Sequence, residues 1–285
     1  MDDESKSPSG RNPMTHPART THGRHVLPLP NGPLEVEVMG EGPPLLLIPS
    51  LGRGQEDFDG IAPGLVAAGL RLIRPEPRGI GHSAPLTPGA TLHDMAADVA
   101  AVLEWSGAGP ALVAGHAAGN WVARVLAHDR PELVRGLVLL AAVTSAEIDP
   151  AISHAISSSF DMSLSDAERL EYLQRAYFAP GHDASVWLAG WHPEVSRAQR
   201  AARAATQDRA WLHAAEKHPL LYLAAGEDAI APPPSEAELR ANLGPLARRA
   251  VIERAGHALL PEQPAAVVAA LVDFARELAA KKGAG

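Results

Sequence analysis

The chain has 285 residues, 46% of them hydrophobic, a formal charge of −8 and no cysteine. That length supplies a sizeable core for one large domain with an insertion, or for two small domains. The charge argues against nucleic acid or an anionic membrane as partner, because phosphate binding needs concentrated basic surface; the missing thiols exclude disulfides, cysteine nucleophiles and cysteine-ligated metal.

Residues 1–24 are polar and rich in Ser, Pro, Arg and Thr, lack the apolar run of a signal peptide, and read as a disordered tail. Beyond them, short apolar runs alternate with longer helical patterns: Leu34 to Val38, Leu45 to Ile48, Leu70 to Ile73, Ala111 to Ala114, Leu137 to Ala142, Leu220 to Ala224 and Arg248 to Ile252. That rhythm predicts an α/β fold with a mostly parallel central sheet and helices on both faces, and the continuous apolar runs are those of strands buried on two sides. Thr91-Leu92-His93-Asp94 and Ser235-Glu236-Ala237-Glu238 have the spacing of capping boxes, and Val267, Leu271, Phe274 and Leu278 share one face of the last helix. Between 143 and 218 the strand rhythm stops. The segment reads as a helical cap, starting near Ser163-Leu164-Ser165-Asp166, inserted into a core formed by 25–142 and 219–285. Trp187, Trp191, Trp211, Tyr172, Tyr177 and Phe178 lie within it and suggest an apolar pocket lining. No segment approaches the roughly 20 apolar residues that span a bilayer, so a cytoplasmic protein with a small-molecule ligand is expected.

Four segments concentrate the chemistry. Ala111 to Ala114 reads as a strand and Ala118 to Ala127 as a helix, leaving Gly115-His116-Ala117 in a tight turn whose small residues suit close backbone packing. Ile48-Pro49-Ser50-Leu51-Gly52 follows another strand, Gly226-Glu227-Asp228-Ala229-Ile230 a third, and Ala255-Gly256-His257-Ala258-Leu259 precedes the last helix. Pro77-Arg78-Gly79-Ile80-Gly81-His82-Ser83 forms a further turn; its glycines do not make a dinucleotide site, because Pro85 stands where the helix should open. None of the 13 histidines has the H-E-x-x-H spacing that seats zinc, and neither metal nor cofactor is expected.

In order and spacing these segments resemble the α/β-hydrolase family, over nearly the whole chain after the tail. The resemblance implies that Gly115-His116-Ala117-Ala118-Gly119 is the nucleophile elbow, usually Gly-x-Ser-x-Gly, with Ala117 at the nucleophile position. It also implies oxyanion donors at the Leu51 and Ala118 amides, a triad acid at Asp228, with Glu227 or Asp149 as alternatives, and a catalytic base at His257. Trp187, Trp191, Tyr177, Asn120 and Trp121 are the substrate-binding candidates. Asn120 stands where the family usually has glycine, and Pro49 and Ser50 replace its His-Gly pair. Ser50 and Ser83 read as structural, as do His82, His93, His128, His154 and His213.

A methyl group cannot attack a carbonyl, so no acyl-enzyme forms at Ala117. Three readings follow: a serine hydrolase whose nucleophile was replaced to trap substrate; a native alanine beside a His257-Asp228 dyad that activates water or moves a proton for a lyase, isomerase or cyclase; or a ligand-binding pseudoenzyme. The resemblance favours an enzyme hydrolysing a small ester-like or lactone-like substrate.

Overall fold

The computed structural model describes residues 22–142 and 147–283. In chain order its core runs through β1 (Gly23–Leu29), β2 (Gly32–Met39), β3 (Pro44–Ile48), α1 (Ala62–Ala67), β4 (Arg71–Pro75), α2 (Leu92–Ser106), β5 (Ala111–His116), α3 (Gly119–Asp129) and β6 (Val134–Leu140). An insertion of α4 (Pro150–Ser159), α5 (Asp166–Tyr177) and α6 (Pro193–Ala205) follows. The core then resumes with β7 (Leu220–Ala225), α7 (Glu236–Leu243), β8 (Ala247–Ile252), α8 (Leu259–Glu262) and α9 (Pro264–Gly283).

The strands make one sheet in the order β1-β2-β4-β3-β5-β6-β7-β8, in which β2 runs antiparallel to both neighbours, β1 and β4, and the remaining pairs are parallel. Successive side chains of a strand point to opposite faces, so a strand covered on both sides must be apolar throughout. Leu46, Val113, Leu137, Leu139 and Tyr222 accordingly pack under α2, α3 and α7, while Leu45, Leu47, Val138, Leu140 and Leu221 pack under α1 and α9. Capping boxes at Thr91 and Ser235 start α2 and α7. Ser165, not Ser163, caps α5, because its partner Glu168 lies three residues on.

Two expectations change. The tail extended through Arg24, yet β1 begins at Gly23; residues 1–21 lie outside the described residues. This strand escapes sequence reading because Pro28 and exposed polar residues interrupt it, which an edge strand tolerates since half its backbone groups face outward. Trp211 does not reach the cavity that Trp187 and Trp191 line: it is fully buried among the α2 and α3 side chains, between the Arg124 and Arg203 guanidinium groups. Of the other insertion aromatics, Tyr172 packs on His154 and Phe178 on Trp187. Among the described residues, no helix is long and apolar enough to cross a membrane.

The Arg-Gly turn is a structural device. Arg78 forms a two-pronged ion pair with Asp98 at 2.6 and 2.7 Å and donates to three carbonyls of the β1-β2 turn, while the Ser83 hydroxyl bridges the Glu76 carbonyl and the Glu35 amide.

Candidate active site

The site gathers at the ends of β3, β5, β7 and β8. After β5 the chain reverses into α3 within two residues, which forces Ala117 to φ 44°. A non-glycine residue pays on the order of 1 kcal/mol for that left-handed conformation. The turn is held by the Ala117 amide on Leu140 O at 2.8 Å, and by the Asn120 side-chain amide, which donates to the Ala117 carbonyl. Glycine is required on both sides: a Cβ on Gly115 would stand 2.5 Å from Gly119 O, and one on Gly119 2.6 Å from Pro49 O. The same contact brings the start of α3 against the loop after β3.

Asp228 follows β7. Its buried carboxylate accepts the Ile230 and Ala231 amides, both at 2.8 Å, and His257 Nδ1–H donates to its two oxygens at 2.9 and 3.1 Å. Burial alone would raise the carboxyl pKa; the facing imidazole and the two amides outweigh it and hold the group below its usual range. Glu227 is exposed, and Asp149 caps α4 through the Ala151 and Ile152 amides, so neither alternative acid is paired with His257.

The loop carrying His257 is pinned from behind. His116 Nε2–H donates to the His257 carbonyl at 2.9 Å, and Glu262 accepts the amides of Gly256 and Ala179, both at 2.7 Å, tying the loop to the end of α5. Desolvation drives the His116 pKa down to about 3, so this ring stays neutral and keeps one fixed tautomer.

A cavity open to solvent, with about 700 Å³ of free space including its mouth, lies over these loops. It is lined by Leu51, Ala117, Ala118, Asn120 and Trp121 from the core, by Tyr177, Trp187 and Trp191 from the insertion, and by His257. Asp228 stands behind the imidazole. Among the described residues, neither the Leu51 amide nor the Ala118 amide donates to an acceptor of the chain. Asn120 is buried and its Oδ1 has no partner among the described residues. Tyr177 bonds the Ser159 hydroxyl at 3.1 Å, and burial pushes its phenol up to about 12, so it remains a neutral wall of the cavity. Ser50 borders this cavity and a neighbouring one of about 590 Å³, which also shares Leu51, Ala118 and Trp121.

Sequence reasoning did not single out Arg53, Ile148, Ile156, Phe160, Arg200 or Ile230, which complete the lining. Arg53 follows Leu51 by two residues and is held by Asp57; its guanidinium lies 4.8 and 4.9 Å from the Trp187 and Trp191 ring centroids. Phe160, at the end of α4, meets Trp191 edge-on at 4.6 Å. A cluster of aromatics was visible in the sequence, but not which of them turn inward. No group of acidic or histidine side chains able to hold a metal ion occurs among the described residues.

A family profile described as "alpha/beta hydrolase fold" matches residues 43–182. The chain is 28% identical over 251 residues to "Putative non-heme bromoperoxidase BpoC" of Mycobacterium tuberculosis H37Rv, covering 82% of this chain and 94% of that protein. It is 37% identical over 113 residues to "Putative carbamate hydrolase RutD" of Variovorax paradoxus, covering 39% of this chain and 42% of the other. The crystal structure of BpoC superposes with a TM-score of 0.72 at 26% identity, over 90% of this chain and 99% of that one. A thermophilic esterase from Thermogutta terrifontis shares the fold at a TM-score of 0.71 and 23% identity, over 90% and 99% of the two chains. By sheet order, helical layers and these likenesses, the chain has the α/β-hydrolase fold.

Proposed function

We propose that this α/β-hydrolase-superfamily enzyme hydrolyses a small ester-like or lactone-like substrate, with His257 as general base toward water and Ala117 in the place of the nucleophile. The observation that carries the reading is the pairing of His257 Nδ1 with Asp228 beside a cavity also lined by Ala117, Leu51 and Ala118, the amides of the last two having no acceptor among the described residues. Asp228 fixes the tautomer that leaves Nε2 as the acceptor of a proton, and stabilises the imidazolium once it forms. A water polarised by Nε2 attacks the carbonyl carbon, its proton passes to the imidazole, and the Leu51 and Ala118 amides receive the oxyanion. The imidazolium then returns the proton to the departing alcohol. No acyl-enzyme intervenes, so turnover is slow: removing the serine of such a triad costs on the order of a million-fold.

The insertion acts as a cap whose aromatic wall takes the apolar part of the ligand. Neither nucleic acid nor membrane is a partner in this reading, and the setting is cytoplasmic. The relative named as a carbamate hydrolase supports hydrolysis at a carbonyl without selecting the substrate. A second reading, a non-hydrolytic enzyme or a ligand-binding pseudoenzyme, is favoured by the Ala117 methyl itself.

Hydrolysis of p-nitrophenyl acetate and butyrate by the protein, by Ala117→Ser and by each with His257→Ala separates these readings. Activity that rises in Ala117→Ser and disappears without His257 supports the hydrolytic dyad. Silence in both, with ligand-induced thermal stabilisation, transfers the site to the second reading.

A further inference from the structure

A cation with no counter-ion among the described residues stands at the cavity wall. Arg200, on α6, lines the cavity and is exposed. Its Nε reaches Ser196 Oγ at 3.5 Å and its Cζ lies 5.8 Å from the Phe160 ring centroid. Among the described residues no carboxylate pairs with it.

The neighbouring arginines sharpen the contrast. Arg53, also in the lining, is neutralised by Asp57, and Arg197, one turn before, pairs with Glu194. Arg203, one turn after, lies 5.8 Å from the Trp121 ring centroid and also has no ion pair among the described residues, so it adds to the positive field beside Arg200. The chain carries 33 carboxylate side chains against 25 Lys and Arg, yet leaves this rim of the cavity cationic. A guanidinium backed by an aromatic ring, with its terminal nitrogens free, matches a planar carboxylate in two-pronged contact.

We propose that the ligand carries a carboxylate at the end remote from the reacting carbonyl and that Arg200 binds it, which makes the substrate class a hemi-ester or an acid-bearing lactone. The inference rests on the cavity being the substrate site.

Trp121, Trp187 and Trp191 in the lining make intrinsic fluorescence a reporter of occupancy. The probes are monomethyl adipate and dimethyl adipate, equal in reach and differing by one charge. Monomethyl adipate binds about tenfold more tightly than the diester to the unaltered protein. Arg200→Gln removes that preference, Arg200→Lys keeps part of it, Arg197→Gln keeps it all, and about 1 M NaCl narrows it by screening. Equal affinity for the two probes, no binding of monomethyl adipate, or a preference unchanged in Arg200→Gln overturns the proposal. Methanol release is measured separately. A charge preference without methanol release upholds the role of Arg200 and defeats the hydrolytic reading; release from the diester without any preference upholds hydrolysis and defeats Arg200.

Discussion

The side-chain carbonyl of Gln199, on α6, accepts the amide of Gly52 at 2.8 Å. The residue before that glycine is Leu51, which lines the cavity and whose amide has no acceptor among the described residues, so an inserted helix sets the position of a loop that belongs to the core. Replacing Gln199 with alanine leaves the Gly52 amide buried without an acceptor and lowers stability by about 1 to 3 kcal/mol. If the loop presents an oxyanion donor, esterase activity of the Ala117→Ser protein falls further than this loss of stability accounts for, with kcat reduced more than KM rises. Urea denaturation and steady-state kinetics on the same preparations check both.

Arg53 and Asp57 form a buried pair, with side chains 4% and 1% exposed. Asp57→Ala strands a cation under Trp187 and Trp191, and about 3 to 5 kcal/mol of stability is lost. Arg53→Met together with Asp57→Ala recovers most of it, because no uncompensated charge remains. Denaturation midpoints of the two variants that coincide would contradict this account.

His116 gives the protein an acid-labile point. Its pKa is lowered from 6.5 to about 3 in the folded chain, so below pH 6.5 the unfolded chain binds a proton that the folded one refuses. Stability is therefore intact above pH 6.5 and falls as the pH drops from there toward 3, by about 2 kcal/mol at pH 5. In His116→Asn that part of the acid dependence is absent, and the difference is read from thermal melts at pH 5 and pH 8.

Asp228 is held below the ordinary carboxylate range, so it stays ionised through the whole range in which His257 is to serve as base. In an Ala117→Ser background, Asp228→Asn reverses the bond preference at Nδ1, selects the wrong imidazole tautomer, and lowers kcat by about 10⁴. Glu227→Gln, at an exposed side chain, leaves kcat within about twofold.

Much of the site could be read along the chain because its parts sit where strands end. Gly115 and Gly119 are demanded by one backbone crossing, and the acid and the histidine follow the last two parallel strands, so order and spacing expose them. What escaped were contacts made across the insertion. Arg200 and Phe160 reach the cavity only because α4 and α6 pack over the strand ends, while Trp211, from the same stretch, turns away into the core. Helical periodicity assigns a residue to a face of its own helix, but not that face to a neighbour.

By itself, then, the amino-acid order determined the alternation of strands and helices, the two-sided burial of the sheet and the alanine at the turn after β5. These depend on local periodicity, turn chemistry and covalent identity. Tertiary structure alone decided that Asp228 rather than Glu227 or Asp149 meets His257, that Gln199 clamps the loop beside Leu51, and that Arg200 stands without a carboxylate among the described residues. These are distances between segments far apart in the chain, set by how the insertion settles on the sheet.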